Sequence, residues 1–139
     1  MPHVVALILA VALLPLIAVG ASVTSKGAGM AFPDRPTSNG ALVNPPGWWQ
    51  GEKRLWEHGH RLLGWTVGML AIVSAASSWR RGTTLRALAC ATLLAIVIQG
   101  VLGGLRVRAV STPLAIVHGI WGQVCFCLAG VVALRTSSG

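Results

Sequence analysis

Four long apolar segments constrain the fold of this chain more than any other feature. They run over about residues 4–23, 62–79, 87–105 and 113–134, and each is close to the roughly 20 residues that a helix needs to cross a bilayer core. Backbone polar groups in hydrocarbon must be satisfied within the segment, which favours helices. The sequence therefore predicts an all-α fold, an integral membrane four-helix bundle with one long irregular outer loop over about residues 24–56.

The composition predicts a single membrane domain over residues 1–139. Hydrophobic residues make up 54% of the chain and charged residues only 10%, a balance that excludes an ordinary soluble domain. The first apolar run starts almost at Met1 and raises the alternative of a cleaved signal peptide. Its leader lacks Lys and Arg and the run is long for such a peptide, so we expect a retained helix.

The formal net charge of +8 raises the question of a nucleic-acid partner. The eleven Lys and Arg residues are scattered at segment ends, however, without a basic run or an RNA-binding motif. We therefore expect no nucleic acid, and membrane lipid or the carboxylates of a bound ligand as counter-charges. Cys90, Cys125 and Cys127 lack metal or redox spacing, so we interpret them as packed small residues.

The connection between the second and third spans orients the predicted bundle. It is short and carries Arg80, Arg81 and Arg86, so the positive-inside rule places it and the N-terminus in the cytoplasm. A raw count of basic residues points the other way, but long translocated loops contribute little to that rule. We expect a multi-pass protein of a bacterial-type inner or plasma membrane.

The stretch EHGHRLLGWTVG, residues 57–68, opens the second span with ionisable groups. Such groups are costly at the edge of an apolar segment and indicate function. On a helix, Glu57, His60 and Arg61 share one face with Gly64 and Gly68. His58 is turned away from that face, so His60 is the preferred ligand candidate.

Polar and small residues also mark the third and fourth spans. Gln99, Gly103 and Arg106 share a face at the end of the third span, while Gly100 and Gly104 form a GxxxG pattern that permits close helix packing. The fourth span carries His118 above a stripe of small residues. A buried amide needs partners and a guanidinium near an apolar bundle usually meets an anion, so Gln99 and Arg106 are candidate ligand contacts.

His60 and His118 are predicted to lie at similar depths on parallel helices. Opposed imidazoles, glycine-lined walls and arginines at the rim suit a haem, with His60 and His118 as the metal ligands and Arg61, Gln99 and Arg106 as further cofactor contacts. Two alternatives remain: each histidine could merely satisfy a buried hydrogen bond or lie in the membrane interface, or Glu57 and His60 could relay protons. A zinc or copper site is not expected, because it would require more ligands than these.

The sequence resembles the amino-terminal half of the haem A synthase family, which serves cytochrome oxidase assembly. The resemblance rests on VTSKGAGMAFPDRPTSNG (residues 23–40), EHGHRLLGWTVG, QGVLGGLRV (residues 99–107) and the HG at residues 118–119. Members of that family have eight helices in two similar halves, each with a histidine pair for one haem, and oxidise a methyl group of haem O towards haem A. The resemblance implies His60 and His118 as axial ligands and Glu57 as the catalytic acidic residue.

The chain departs from that family in three respects. It corresponds to one half, so a homo-oligomer or a partner membrane subunit is expected to supply the second haem. Its loop lacks the cysteine pair of some members, and Arg35 stands where relatives commonly have tryptophan. The leading hypothesis is a half-length haem A synthase-like oxidoreductase that takes haem b or haem O. The alternatives are a non-enzymatic b-type cytochrome subunit and an assembly or structural subunit without haem.

Overall fold

The computed structural model describes residues 2–32, 34 and 37–137. Four helices account for most of them: α1 over Pro2–Ser25, α2 over Glu52–Ser78, α3 over Thr83–Arg108 and α4 over Thr112–Ser137. All four are long and apolar enough to cross a membrane. The predicted all-α four-helix membrane bundle is confirmed, and the long loop covers residues 26–51.

The helices form a square in which each one packs against two neighbours. The contacts join α1 to α2, α2 to α3, α3 to α4 and α4 to α1, so α2 and α4 occupy diagonal corners. The α2–α3 contact is the least extensive of the four. The long loop and the α3–α4 turn meet at one end of the bundle, here called the loop end. The end that carries the α2–α3 connection is called the opposite end.

Packing in this bundle places small side chains inside and large ones outside. The central core contains Leu9 and Leu13 from α1 together with Ala71, Ala95 and Ala129. Large apolar side chains are instead exposed on the outer faces, among them Ile120 and Leu134 at 62% and 71%. Lipid is as apolar as a leucine side chain, so close backbone approach at small residues drives helix association in a membrane. The exposed apolar surface is therefore the lipid-facing surface.

The cysteines divide between the inside and the outside. Cys125 is fully buried in the central core, as predicted for a packed small residue. Cys127 differs, because its side chain is exposed on the outer face of α4. Two residues along a helix correspond to about 200° of rotation, which turns the second thiol away from the bundle.

Helix α2 begins ten residues before the apolar run that predicted it. The run starts at residue 62, whereas the helix starts at Glu52. Its first turns are polar, yet Glu57, His58 and Arg61 are buried in them. Backbone hydrogen bonds do not require apolar side chains, and these three find polar partners in the loop. The start of a hydrophobic segment therefore did not mark the start of the helix.

Candidate functional site

The loop end brings most of the predicted site residues together. It contains the last turns of α1 and α3, the first turns of α2 and α4 and the loop above them. His60 lies on α2 and His118 on α4, the two diagonal helices. Neither histidine is on a lipid-facing outer stripe, since both are partly buried. The predicted placement of two imidazoles on parallel, non-adjacent helices at one end is thus what the structure has.

His60 packs against a glycine of the neighbouring helix. A Cβ atom built on Gly20 of α1 would lie 2.9 Å from Cε1 of the His60 ring. That separation is shorter than a van der Waals contact, so the ring occupies the volume that any side chain at this position would need. Gly20 is therefore required by the position of the His60 ring, and the sequence pattern gave no sign of it.

His118 packs in the same way against α3. A Cβ atom on Gly103 would lie 3.0 Å from Cε1 of the His118 ring. The Gln99 side-chain Nε2 donates a hydrogen bond of 3.0 Å to the His118 carbonyl oxygen and lies 3.5 Å from its ring Nε2. The same amide lies 3.1 Å from the Cβ position of Gly122. Gln99 and Gly103, which were predicted to share a helix face, therefore both lie beside His118, and the cofactor contact predicted for Gln99 stays a prediction.

The interior face of α2 has open space one turn below His60. Gly64 lies on the same helix face as Val67 and Ala71, which are both 1% exposed. A Cβ atom on Gly64 or on Gly68 would nevertheless meet no heavy atom within 4 Å. Residues on a buried helix face normally contact several side chains. The space beside these glycines is therefore available for a further group.

Arg106 lies at the rim of this region. Its guanidinium donates hydrogen bonds of 3.3 Å from both terminal nitrogens to Thr24 Oγ1, and one of those nitrogens approaches Gly29. The side chain is partly buried and lies within electrostatic range of the Glu57 carboxylate. A guanidinium bonded to one hydroxyl retains donors for an anion. Arg106 is the cation best placed to meet a ligand carboxylate.

Glu57 and Arg61 form a buried ion pair under the loop. Their side chains are 1% and 7% exposed, and Arg61 Nη2 lies 2.5 Å from Glu57 Oε1. The other carboxylate oxygen accepts a hydrogen bond of 3.1 Å from the backbone N–H of Phe32. Arg61 also donates to the carbonyl oxygens of Phe32, Asp34 and Thr37. These contacts fasten the loop to α2, so the cofactor contact predicted for Arg61 stays a prediction.

His58 is a second loop anchor. Its ring is fully buried, with Nδ1 3.1 Å from Ser38 Oγ and Nε2 2.9 Å from the Val43 carbonyl oxygen. The Trp48 ring packs on it with centroids 5.0 Å apart. Both ring nitrogens are therefore used by the loop, which agrees with the interpretation that His58 faces away from His60. The sequence predicted no loop contact for His58, Glu57 or Arg61. The i, i+4 spacing of Glu57 and Arg61 is nevertheless a recognisable signal for an ion pair.

A carboxylate also organises the loop itself. Asp34 accepts hydrogen bonds from the backbone N–H groups of Gly40 and Asn39, and a third from the Thr37 hydroxyl. The hydrogen bond from the Gly40 N–H, and to a smaller extent that from the Thr37 hydroxyl, lowers the pKa of Asp34 well below its usual value. Asp34 is therefore ionised whenever this turn is formed at neutral pH. Arg35, which stands where the resembled family commonly has tryptophan, lies outside the described residues.

The donor set limits what the site can hold. Within the described ranges, no three His, Cys, Asp or Glu side chains come together as a metal-binding group. Two axial imidazoles are enough for a haem iron, whose remaining ligands come from the macrocycle. Two cavities of about 470 and 540 Å³ lie at the opposite end and contain none of the six predicted site residues in their walls.

No protein-family model, characterised protein or solved structure matches this chain. The contacts at the loop end are therefore the basis of the functional interpretation.

Proposed function

We propose that the loop end binds a haem between His60 and His118 and that the protein is a haem A synthase-like oxidoreductase. One observation carries the proposal: each histidine belongs to one of two diagonal helices, and each ring is pressed against a glycine of a neighbouring helix. Close packing against a glycine restricts where each ring can lie, and an axial ligand must be held in a fixed position. The close approach keeps each ring at the bundle interior.

The residues present fit such a group. His60 and His118 would be its axial ligands, and the open face at Gly64 and Gly68 offers volume next to them. Arg106 would meet a propionate, because it combines partial burial with unused donors. Gln99 is bound to the His118 carbonyl and lies beside its ring, so it would fix that helix turn and ring. Bound haem would supply iron-centred redox chemistry and, as haem O, the methyl group to be oxidised.

Glu57 would act in the oxidation through its charge or its protons. Conversion of a methyl to a formyl group is a four-electron oxidation that adds one oxygen atom. If the oxygen comes from water, four protons and four electrons are released and an electron acceptor is required; if it comes from dioxygen, the dioxygen is the oxidant and each monooxygenase step also requires an electron donor. The Glu57 carboxylate is close enough to Arg106 to act on it electrostatically, and it lies one helical turn before His60. It would accept a proton or stabilise positive charge that develops at the reacting edge.

The redox partner, whether it accepts or donates electrons, would come from another chain. The chain has four histidines, and two of them have other contacts. His58 anchors the loop, and His3 Nδ1 lies 3.0 Å from the Ala133 carbonyl at the opposite end. A second axial pair would therefore be supplied by another copy of the chain or by a partner membrane subunit.

The burial of Glu57 favours a second candidate, a non-enzymatic b-type cytochrome subunit. The carboxylate is 1% exposed and both of its oxygens are occupied by Arg61 and Phe32. A group with those contacts can hold the loop without taking part in any reaction. In this function His60 and His118 would bind haem, and electrons would pass without change to the porphyrin.

Two measurements test these functions in sequence. An absorption spectrum of detergent-purified protein, expressed with ample haem, should show a Soret band and six-coordinate low-spin features. A protein without that band would refute both haem functions and leave an assembly or structural subunit. Mass analysis of the pigment from cells supplied with haem O then separates the two, since only the enzyme yields the hydroxylated or formyl product.

A further inference from the structure

The opposite end of the bundle holds a cavity that the haem proposal does not use. The cavity has a volume of about 470 Å³ and lies between the start of α1, the start of α3 and the end of α4. Its rim is polar and includes Arg81, Thr83, Thr84 and Arg135. Pro2, Leu85 and Leu88 form an apolar wall beside that rim. A polar rim next to an apolar wall matches an amphiphile that has a charged head and a hydrocarbon tail.

The charges around this cavity are all of one sign. The three acidic residues of the chain, Asp34, Glu52 and Glu57, belong to the loop and the first turns of α2, at the loop end. Arg81 and Arg135 therefore line the cavity at an end of the bundle that has no acidic side chain. A guanidinium in a low-dielectric boundary is stabilised by an anion, and carboxylate and phosphate are the anions that its planar fork fits. No Asp or Glu side chain lies at this end, so an anion would have to come from a ligand, and the membrane surface supplies phosphate groups.

The start of α3 adds hydrogen-bond donors to the same rim. Helix α3 begins after Gly82, whose φ of 93° is in the left-handed region, and no side chain caps the helix. The first backbone N–H groups of a helix lack intrahelical acceptors and carry partial positive charge. Thr83 and Thr84, the first two residues of α3, also line the cavity and carry hydroxyl groups. These donors complement the two arginines that define the site.

We propose that this cavity binds a phosphate group between Arg81 and Arg135. Two sources share that chemistry: the headgroup of an anionic phospholipid, whose chain would follow Leu85 and Leu88, and free inorganic phosphate. The site is independent of haem, because it lies at the opposite end of the bundle. Its failure would leave the proposed function intact, and the reverse also holds.

The test measures ligand retention by the purified full chain with native mass spectrometry in detergent. Phosphatidylglycerol, phosphatidylcholine and inorganic phosphate are the probes. Phosphatidylglycerol should bind with the highest affinity, and Arg81→Gln or Arg135→Gln should each weaken it about tenfold, the effect expected for one lost charge-assisted contact. Arg80→Gln is the matched control, since it removes the same charge from the adjacent residue, which does not line this cavity.

Each outcome decides the proposal. Inorganic phosphate that binds alone and displaces the lipid would assign the site to free phosphate, whereas lipid binding that phosphate does not displace would assign it to the headgroup. Equal losses in Arg80→Gln and Arg81→Gln would show surface charge alone and overturn the site. Equal retention of phosphatidylglycerol and phosphatidylcholine, unaffected by phosphate, would also overturn it. Arg81 and Arg135 are exposed, so neither variant is expected to unfold.

Discussion

The surroundings of His60 and His118 are alike in packing and unlike in charge. Both rings rest on a glycine of an adjacent helix, Gly20 in one case and Gly103 in the other, at nearly the same separation. Around His60, however, the structure adds a buried ion pair and a long loop, while His118 lies near a short turn with the Gln99 amide beside it. The glycine contacts fix where both rings lie. The ion pair and the loop lie on the His60 side only, so the proposed oxidation of a bound haem would take place on that side.

The largest expected effect tests whether His60 and His118 are the two haem ligands. His60→Ala or His118→Ala should each abolish six-coordinate low-spin haem, because an axial ligand is lost. His58→Ala removes a loop anchor two residues away and should lower stability by about 1–3 kcal/mol, the cost of leaving buried polar groups unpaired, while the low-spin spectrum of the bound haem persists. Absorption spectra of the three variants provide the comparison. Equal spectral damage from His58→Ala would refute the assignment of His60.

The next effect concerns the ion pair beside His60. Glu57→Gln or Arg61→Gln should each lower the stability of the loop by about 3–5 kcal/mol, because a buried charge loses its partner. Glu57→Gln should retain haem and lose turnover if the carboxylate takes part in oxidation. Thermal unfolding and pigment analysis measure the two quantities separately. Normal turnover in Glu57→Gln would leave the carboxylate with the anchoring role alone.

A smaller effect tests the glycine contacts. Gly20→Ala and Gly103→Ala should shift the His60 and His118 rings and convert part of the haem to a high-spin form, because each new methyl group enters the volume of a ring. Gly100→Ala is the control, since a Cβ at that position meets no heavy atom within 4 Å. The high-spin fraction in the absorption spectrum measures the effect. An unchanged spectrum in both inner variants would contradict the requirement for glycine.

The smallest expected effect tests the loop that is bonded to the first turns of α2. The folded-state pKa of Asp34 lies well below its unfolded value of 3.8, so ionised Asp34 stabilises the turn fully above that pH, and the stabilisation decreases progressively as pH falls from 3.8 towards the folded-state pKa. Proteolysis of the loop should therefore be slow at pH 7 and faster near pH 3. Asp34→Asn should be cleaved at similar rates at both values. A wild-type loop equally protected at pH 3 would contradict the role of Asp34.

The sequence predicted the helices and the shared helix face of Gln99, Gly103 and Arg106, but not the loop anchors. Apolar run length and helical spacing are local properties, so the four spans and the shared faces could be read directly. The contacts of Arg61 with Phe32, Asp34 and Thr37 join residues more than twenty positions apart, and no periodicity encodes them. Gly20 shows the same limit, because its role depends on a ring carried by another helix. The start of α2 at Glu52 was missed because residues 52–55 are exposed and mostly polar, so no apolar run marks the first turn of the helix.

The diagonal arrangement of α2 and α4 has a consequence for assembly. The chain divides into two hairpins, α1–α2 and α3–α4, and each contributes one histidine of the proposed His60–His118 pair. The hairpins meet along two boundaries, α1–α4 and the less extensive α2–α3, and a group coordinated by both rings would add a further connection between them. Separately expressed halves should then associate more stably in cells supplied with haem than in haem-deficient cells, so that assembly of this protein would depend on cofactor supply.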